Sequence, residues 1–257
     1  MPPETGRVLL VGAGPGAADL MTVRALRAVE AAEALLYDAL VADEVLALAP
    51  AACLRIQTGK RAGKTSMKQD TINRLMLRLA RRGLNVVRLK GGDPSVFGRS
   101  GEERAFLEAH GVAVDIVPGV TAASAAAAQF AFPLTHRGEA RRVAFATARV
   151  QDGEVVEAGW TALADPQTTV VLYMARDAAR AAADRLLAEG RSAQTPALAV
   201  ENAGRRDARA IATTLGRLAD TVAAQAFDGP VALIIGEATA LARGVEVAVP
   251  EPARRSA

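Results

Sequence analysis

The sequence predicts an α/β protein of two domains, and three observations support this prediction. Short apolar segments alternate with longer segments in which apolar residues recur at helical spacing, which is the pattern of a parallel sheet connected by helices. The alternation stops at residues 133–138 and then begins again. The first apolar segment ends in a glycine-rich turn at residues 12–16. We therefore predict one domain over residues 1–137 and a second over residues 138–250.

Strands of the first domain are predicted where short apolar runs precede turn residues. They lie at residues 7–11, 35–37, 86–89 and 114–117. The second of these strands ends at Asp38, which would place a carboxylate at the carboxyl edge of the sheet.

The helices between these strands are predicted from apolar spacing and capping residues. Asp19 is the predicted N-cap of the first helix, and residues 66–69 have the form of a capping box at the start of the second. Gly83 and Gly111 are expected to end helices, and Thr121 begins an alanine-rich helix.

In the second domain the same alternation resumes, and we expect a second sheet with parallel strands. The predicted strands lie at residues 143–146, 169–173, 197–200 and 231–235. A helix is predicted over residues 178–189, where Gly190 ends it.

Composition limits the class of protein. Of 257 residues, 51% are hydrophobic and 4% aromatic, so the core must consist mostly of Ala, Leu and Val. Cys53 is the only cysteine, and His110 and His136 are the only histidines, so we expect no disulfide and no zinc or other metal site. No apolar run reaches the length of a membrane span, and the first residues lack a secretory signal, so we expect a cytoplasmic enzyme.

The positive charge is mild and local. The net charge is +3, and basic residues form small clusters instead of a long stripe. Because nucleic-acid binding usually needs a stronger bias and aromatic residues for stacking, we expect a small polyanionic partner and no nucleic acid.

The glycine turn by itself leaves three interpretations open. Such a turn brings backbone N–H groups close to phosphates, and Asp38 lies where dinucleotide-binding folds place a ribose-binding acid. Ala17 nevertheless occupies the place of the third glycine, and Pro15 has no N–H to donate. A nucleotide cofactor of another kind, a nicotinamide dinucleotide and a purely structural turn all remain compatible with the spacing.

Seven segments occur in an order that says more than spacing does. They are residues 11–16, 37–41, 59–61, 87–94, 97–99, 117–124 and 133–137. Together they resemble the tetrapyrrole methylase family over about residues 7–240. The Gly-Lys-Arg triplet at 59–61 and the Leu-Thr-His-Arg segment at 134–137 favour the uroporphyrinogen-III C-methyltransferases within that family.

The resemblance implies two α/β domains with S-adenosyl-L-methionine in the cleft between them, and a homodimer. It implies methylation of uroporphyrinogen III at ring carbons C2 and C7, which gives precorrin-2 and S-adenosyl-L-homocysteine and serves sirohaem or cobalamin biosynthesis. A later precorrin methylase of the same family remains an alternative, as does an NAD(P)-dependent oxidoreductase.

The resemblance also assigns roles to individual residues. Asp38 is implied to be the proton acceptor and Lys60 the proton donor. Because guanidinium groups bind carboxylates with two hydrogen bonds, Arg99, Arg137 and Arg61 are expected to hold the carboxylates of the substrate. The implied cofactor contacts are Pro15, Gly91, Gly92, Asp93, Val96, Thr121, Ala122, Met174 and Ala203.

Overall fold

The protein forms two compact units. A computed structural model describes residues 6–59, 67–148, 150–151, 154–155 and 159–248. The first unit comprises the chain up to Ala122 together with Gly204–Arg206, and the second comprises Ala123–Ala203 and the chain from Asp207 onward. The predicted α/β class is confirmed, since each unit contains a sheet and helices.

The first unit contains a five-stranded sheet in which all neighbouring strands are parallel, as predicted. The spatial order is β3-β2-β4-β1-β5. The third strand was not predicted, because its apolar and polar residues alternate over only four positions. The strands are β1 (Val8–Gly12), β2 (Ala34–Tyr37), β3 (Leu54–Gln57), β4 (Val86–Lys90) and β5 (Val114–Val117).

Helices cover both faces of this sheet. They are α1 (Val23–Glu30), α2 (Asp43–Leu46), α3 (Gln69–Ala80) and α4 (Ser100–Ala109). Because side chains alternate along a strand, Leu9 of β1 packs with α1 and α2 on one face, and Leu10 packs with α3 and α4 on the other. The sheet is therefore buried between two layers of helix.

The strand order differs from that of the dinucleotide-binding folds. In those folds β2 lies directly beside β1, whereas here β4 lies between them. The neighbour of the glycine turn in the direction of β2 is therefore the end of β4. The interpretation as a dinucleotide-binding fold is not supported.

The first helix begins later than predicted. Thr22 is the N-cap of α1, and its side chain accepts a hydrogen bond from the N–H of Ala25 at 3.1 Å. Asp19 lies in a separate 3₁₀ turn, in which the Leu20 N–H donates to the Ala17 carbonyl at 3.1 Å. The prediction of Asp19 as the cap was wrong because this turn closes before the helix starts.

The second predicted helix starts at Gln69, with Lys68 as its N-cap. Ser66 of the predicted capping box lies outside the described residues. The Gln69 amide donates to Asn73 and Glu103, both at 3.0 Å.

The second unit contains a six-stranded sheet in the order β13-β11-β10-β12-β9-β6 and a separate two-stranded hairpin, β7-β8. Its strands are β6 (Arg142–Thr147), β7 (Val150–Gln151), β8 (Glu154–Val155), β9 (Thr168–Tyr173), β10 (Pro196–Glu201), β11 (Arg209–Thr214), β12 (Val231–Ile235) and β13 (Glu246–Val247). Its helices are α5 (Ala122–Gln129), α6 (Trp160–Leu163), α7 (Ala179–Ala188) and α8 (Leu218–Ala224). No helix within the described ranges is long and apolar enough to cross a membrane.

The expectation of parallel strands throughout was wrong for this second sheet. The central strand β10 is antiparallel to both β11 and β12, and β12 is antiparallel to β9. The short connection after β10 explains the first pairing, because a parallel neighbour needs a crossover of about a dozen residues or more.

The division between the units falls earlier than residue 137, where the sequence placed the domain boundary. Two hydrogen bonds hold the alanine-rich helix α5 in the second unit. The Ala123 N–H donates to the Tyr173 hydroxyl at 3.2 Å, and the Arg243 N–H donates to the Phe130 carbonyl at 2.8 Å.

Candidate active site

The carboxyl ends of the parallel strands bring most of the predicted site residues of the first unit together. Gly12 ends β1, Asp38 follows β2, Gly91 follows β4, and Gly119 lies just after β5. Ligands of parallel α/β sheets bind outside these strand ends. The candidate site therefore lies at the edge of the sheet that the sequence indicated.

Three backbone segments touch here with no side chain between them. Gly14 and Gly92 form an isolated bridge in which each N–H donates to the carbonyl of the other, at 3.2 and 2.7 Å. A Cβ atom on Gly12 would lie 2.7 Å from the Gly92 oxygen, and one on Gly119 would lie 2.2 Å from it. Because such distances are not tolerated, Gly12 and Gly119 are required by the packing of the loops themselves.

Gly92 differs from these two glycines. Its φ of +70° lies in the left-handed region, yet the nearest atom to an added Cβ would be the Thr121 Cα, 4.0 Å away. The backbone at this point faces open space, which would allow a ligand to lie directly against the main chain.

Asp93 organises the loop that carries these glycines. Its Oδ1 accepts the N–H of Ser95 at 2.7 Å, and its Oδ2 accepts the N–H of Gly119 at 2.8 Å. Each carboxylate oxygen has a second lone pair. A cofactor contact stays a prediction for Asp93, and the structure adds a role in joining the turns after β4 and β5.

Asp38, the predicted proton acceptor, is held by two backbone donors. Its Oδ1 accepts the N–H of Leu40 at 3.0 Å, and its Oδ2 accepts the N–H of Gly91 at 3.1 Å. The carboxylate is half-buried and cannot turn without breaking one of these bonds. The structure thus brings Asp38 into contact with the predicted cofactor loop.

Arg205 lies at this site, although it is not among the residues predicted to do so. Its Nη2 donates to the Leu40 carbonyl at 2.8 Å, and its Cγ would be 2.3 Å from a Cβ on Gly16. The preceding residue, Gly204, accepts the N–H of Ala17 at 2.9 Å. Since 165 residues separate Arg205 from Leu40, no local pattern could have indicated this contact.

Four other predicted cofactor residues lie in the same unit. Pro15 is half-buried between the two outer glycines of the first turn, and Val96 donates its N–H to the Asp93 carbonyl at 3.2 Å. Ala122 is the first residue of α5 and, like Thr121, is half-buried.

Arg99 is exposed at the start of α4, where its φ is +56°. Its guanidinium makes two hydrogen bonds to Glu102, with N···O distances of 3.0 and 2.6 Å. Glu102 raises the pKa of Arg99, and Arg99 in turn lowers the pKa of Glu102. A carboxylate of the substrate would have to share or replace this partner.

The other predicted site residues lie in the second unit or outside the described residues. Met174 follows β9 with an exposed side chain and a φ of +55°, and Ala203 is buried in the turn after β10. Arg137 is exposed. Lys60 and Arg61 fall outside the residues that the structure describes, so their roles stay predictions.

A buried ion cluster lies beneath the loop of residues 91–99. Glu103 of α4 is fully buried and accepts from the Nε of Arg88 at 3.2 Å and the Nζ of Lys90 at 2.9 Å. Burial, the largest effect, lowers the pKa of Lys90, and Arg88 lowers it further, whereas Glu103 and Asp38 raise it. Among the described residues, no group of three His, Cys, Asp or Glu side chains could hold a metal ion.

Comparison with known proteins identifies relatives of this arrangement. The chain matches the family described as Tetrapyrrole (Corrin/Porphyrin) Methylases over residues 7–219. It is 46% identical over 239 residues to the siroheme synthase of Chromobacterium violaceum and 44% identical over 237 residues to that of Pseudomonas aeruginosa. The match to the first covers 93% of this chain and 51% of the relative, and the match to the second covers 92% and 51%. The chain therefore spans about half the length of these curated relatives.

Solved structures match over nearly their whole length. The uroporphyrin-III C-methyltransferase of Thermus thermophilus in complex with S-adenosylhomocysteine is 39% identical, with a TM-score of 0.76 over 91% of this chain and 93% of the other. A cobalt-precorrin-4 methyltransferase is 29% identical, with a TM-score of 0.81 over 90% and 95% of the two chains.

The packing of the three turns predicts a cost for adding a methyl group at Gly119. Gly119→Ala should lower the free energy of unfolding of the first unit by at least about 1–3 kcal/mol, because its Cβ meets the Gly92 and Gly12 backbone. Gly101→Ala in α4 is the control, since nothing lies within 4 Å of that Cβ and alanine favours helix. Native-state hydrogen exchange of the β1 amides measures both variants, and equal stabilities would contradict the packing argument.

Proposed function

This chain belongs to the tetrapyrrole (corrin/porphyrin) methylase family, and we propose that it transfers methyl groups from S-adenosyl-L-methionine to C2 and C7 of uroporphyrinogen III, giving precorrin-2. The observation that carries this proposal is the open backbone at Gly92, directly beside the fixed carboxylate of Asp38. A methyl donor and a proton acceptor are the two components that C-methylation requires, and the proposed proton acceptor is hydrogen-bonded to the loop proposed to bind the donor.

The residues of the first unit fit the cofactor. A Cβ on Gly92 would project into space that Thr121 borders at 4.0 Å, and this is the space that the cofactor is proposed to occupy. Backbone N–H and carbonyl groups and the free lone pairs of Asp93 suit the hydroxyl, ammonium and carboxylate groups of S-adenosyl-L-methionine. Pro15, Val96, Thr121 and Ala122 are the other proposed contacts in this unit, and the roles of Met174 and Ala203 in the second unit stay predictions.

When bound, the cofactor supplies a methyl group on a positively charged sulfur. The part of the protein is chiefly to hold the nucleophilic carbon in line and to exclude water, since proximity is the main means of accelerating such a transfer. The interlocked turns provide this rigidity, because Gly14 and Gly92 are hydrogen-bonded in both directions.

Asp38 accepts a proton at the end of the reaction. A pyrrole carbon that gains a methyl group leaves a positive charge on the ring until a proton departs. Two backbone N–H groups fix both oxygens of Asp38 and leave one lone pair on each, so the carboxylate is oriented before the substrate arrives. Lys60 is the proposed proton donor.

The arginines recognise the substrate. Uroporphyrinogen III carries eight carboxylates, and Arg99, Arg137 and Arg61 supply guanidinium groups that bind carboxylates in pairs of hydrogen bonds. Arg99 already makes this type of contact with Glu102. A carboxylate of the substrate would share or replace Glu102 as the partner of this guanidinium.

A later precorrin methylase is the second candidate, and the TM-score of 0.81 with the cobalt-precorrin-4 methyltransferase favours it. The 39% identity with the Thermus thermophilus enzyme, against 29% with the cobalt-precorrin-4 methyltransferase, outweighs this, because overall shape is shared across the family. Incubation with uroporphyrinogen III and labelled methyl donor separates the two, since only the first candidate yields a dimethylated product.

The proposal includes the biological setting. The enzyme works in the cytoplasm as a homodimer on a small tetrapyrrole, without nucleic acid, and its product enters sirohaem or cobalamin biosynthesis. Light scattering during size-exclusion chromatography tests the dimer.

A methyl group on Gly92 should remove cofactor binding. Gly92→Ala is expected to weaken the affinity for S-adenosylhomocysteine at least ~10-fold, because the Cβ projects into the ligand space. Gly111→Ala is the matched control, since its φ of +77° imposes the same left-handed strain, about 1–2 kcal/mol, with nothing nearby. Calorimetric titration compares them, and similar affinities would remove Gly92 from the site.

Loss of the Asp38 charge should slow methyl transfer itself. Asp38→Asn is expected to reduce the single-turnover rate by roughly 10²–10⁴-fold. In asparagine an NH₂ group replaces one of the two oxygens, so it would face the N–H of Leu40 or Gly91 and could not accept its hydrogen bond. Because Gly91 lies in the proposed cofactor loop, cofactor affinity should fall too. The rate is therefore measured at saturating methyl donor, and a normal rate under this condition would exclude Asp38 as the proton acceptor.

Removal of Arg99 should affect one substrate more than the other. Arg99→Ala is expected to raise the KM for the porphyrinogen by roughly 10- to 150-fold with little change in the KM for the methyl donor. Arg104→Ala is the control, because Arg104 is an exposed arginine of the same helix and is paired with Glu108. Equal changes in the two KM values would indicate that Arg99 stabilises the folded structure and does not bind the substrate.

A further inference from the structure

The loop of residues 91–99 is strained, and the ion cluster beneath it closes its base. Phe97 and Arg99 have φ values of +53° and +56°, in a backbone region that residues other than glycine adopt only at a cost in free energy. Such a conformation persists only where the surrounding structure imposes it. The loop is also the segment that carries Gly91, Gly92, Asp93 and Val96.

Both ends of the loop are tied to each other by charge. Lys90 is the residue before the loop, and Glu103 lies in the first turn of the helix that follows it. Their side chains meet at 2.9 Å, with exposed fractions of 6% and 0%. Arg88 and Gln69 donate to the other oxygen of Glu103, so both carboxylate oxygens are hydrogen-bonded.

The loop also folds back over the lysine itself. A Cβ on Gly98 would lie 2.4 Å from the Pro94 carbonyl and 3.1 Å from the Lys90 Cε. The aliphatic stem of Lys90 is therefore packed against the loop that its ammonium group anchors. Lys90 thus makes two contacts: its ammonium group binds Glu103, and its stem packs against the loop at Gly98.

The charges of the cluster are balanced by the proposed catalytic carboxylate. Arg88 and Lys90 carry two positive charges and Glu103 carries one negative charge. Tyr37 is paired with Leu89 in the β2–β4 register, so Asp38 follows directly beside Lys90, and its charge raises the pKa of Lys90 against the effect of burial. The charge of Asp38 thus offsets the second positive charge of the cluster.

We propose that Lys90 is a positioning residue: through its buried bridge to Glu103 it holds the strained loop of residues 91–99 in the conformation that binds the cofactor. This rests on the proposed cofactor site at Gly91 and Gly92. Lys90 acts through the loop and makes no contact with the reacting atoms.

The test replaces Lys90 by methionine, which keeps the length of the stem and leaves Arg88 paired with Glu103. The exchange rates of the hydrogen-bonded amides of Gly91, Gly92 and Val96 are measured against those of β1, together with the affinity for S-adenosylhomocysteine. We expect exchange in the loop to accelerate and the cofactor affinity to fall, each roughly tenfold or more, with β1 unchanged. Arg104→Met, which removes an exposed paired cation from the same helix, should change neither.

Unchanged loop exchange in Lys90→Met would overturn the proposal, and so would an equal acceleration in β1, which would make the bridge a general support of the fold. If the methionine variant does not fold, Lys90→Gln replaces it, since its shorter, uncharged side chain still removes the ion pair with Glu103, and the same comparison applies. Failure of the wild-type protein to bind S-adenosylhomocysteine would instead refute the proposed function, and the exchange measurement would still decide the role of Lys90.

Discussion

The candidate site depends on direct contact between backbone segments at the carboxyl edge of the first sheet. The turn after β1, the loop after β4 and the turn after β5 approach so closely that two of their glycines have no room for a Cβ. This approach is possible because β1 lies between β4 and β5 in a fully parallel sheet, so the three strands end side by side. Hydrogen bonds from Gly14, Gly92 and Gly119 then fix the arrangement.

A second constraint is the low dielectric environment beneath these turns. Two cations and a carboxylate on the α3 and α4 face of the sheet are almost fully removed from water, which is costly unless every group is paired. Breaking such a pair typically costs about 3–5 kcal/mol, because the remaining charge stays buried. The cluster is thus a poor means of gaining stability but an effective means of fixing one conformation, and the strained residues Phe97 and Arg99 lie directly above it.

The sequence was sufficient for the parallel half of the fold and insufficient for the rest. Buried parallel strands are mostly apolar, so four of the five strands of the first sheet were visible as runs. The second sheet is mixed, and its pairing of β10 with β12 depends on contacts between distant segments that no run of residues indicates. Within the site, resemblance supplied Asp38 and Gly92, whereas Arg205 could not be found because its partner lies 165 residues away. The buried ion cluster could have been predicted from the sequence. Arg88 and Lys90 interrupt an apolar strand of a sheet that is covered on both faces, and two buried cations require an acidic residue nearby.

The separation of the glycines into two kinds bears on how the motif should be interpreted. Gly12 and Gly119 would clash with backbone whatever the ligand, so they report the fold and would be expected in any protein with these three turns. Gly92 has room for a methyl group, and its left-handed φ explains a preference for glycine only in part. What remains is the open space in front of it. The proposed functional residues of this glycine-rich site are therefore Gly92 and Asp38, whose carboxylate is hydrogen-bonded to the same loop. Gly12 and Gly119 identify the fold but do not indicate a reaction.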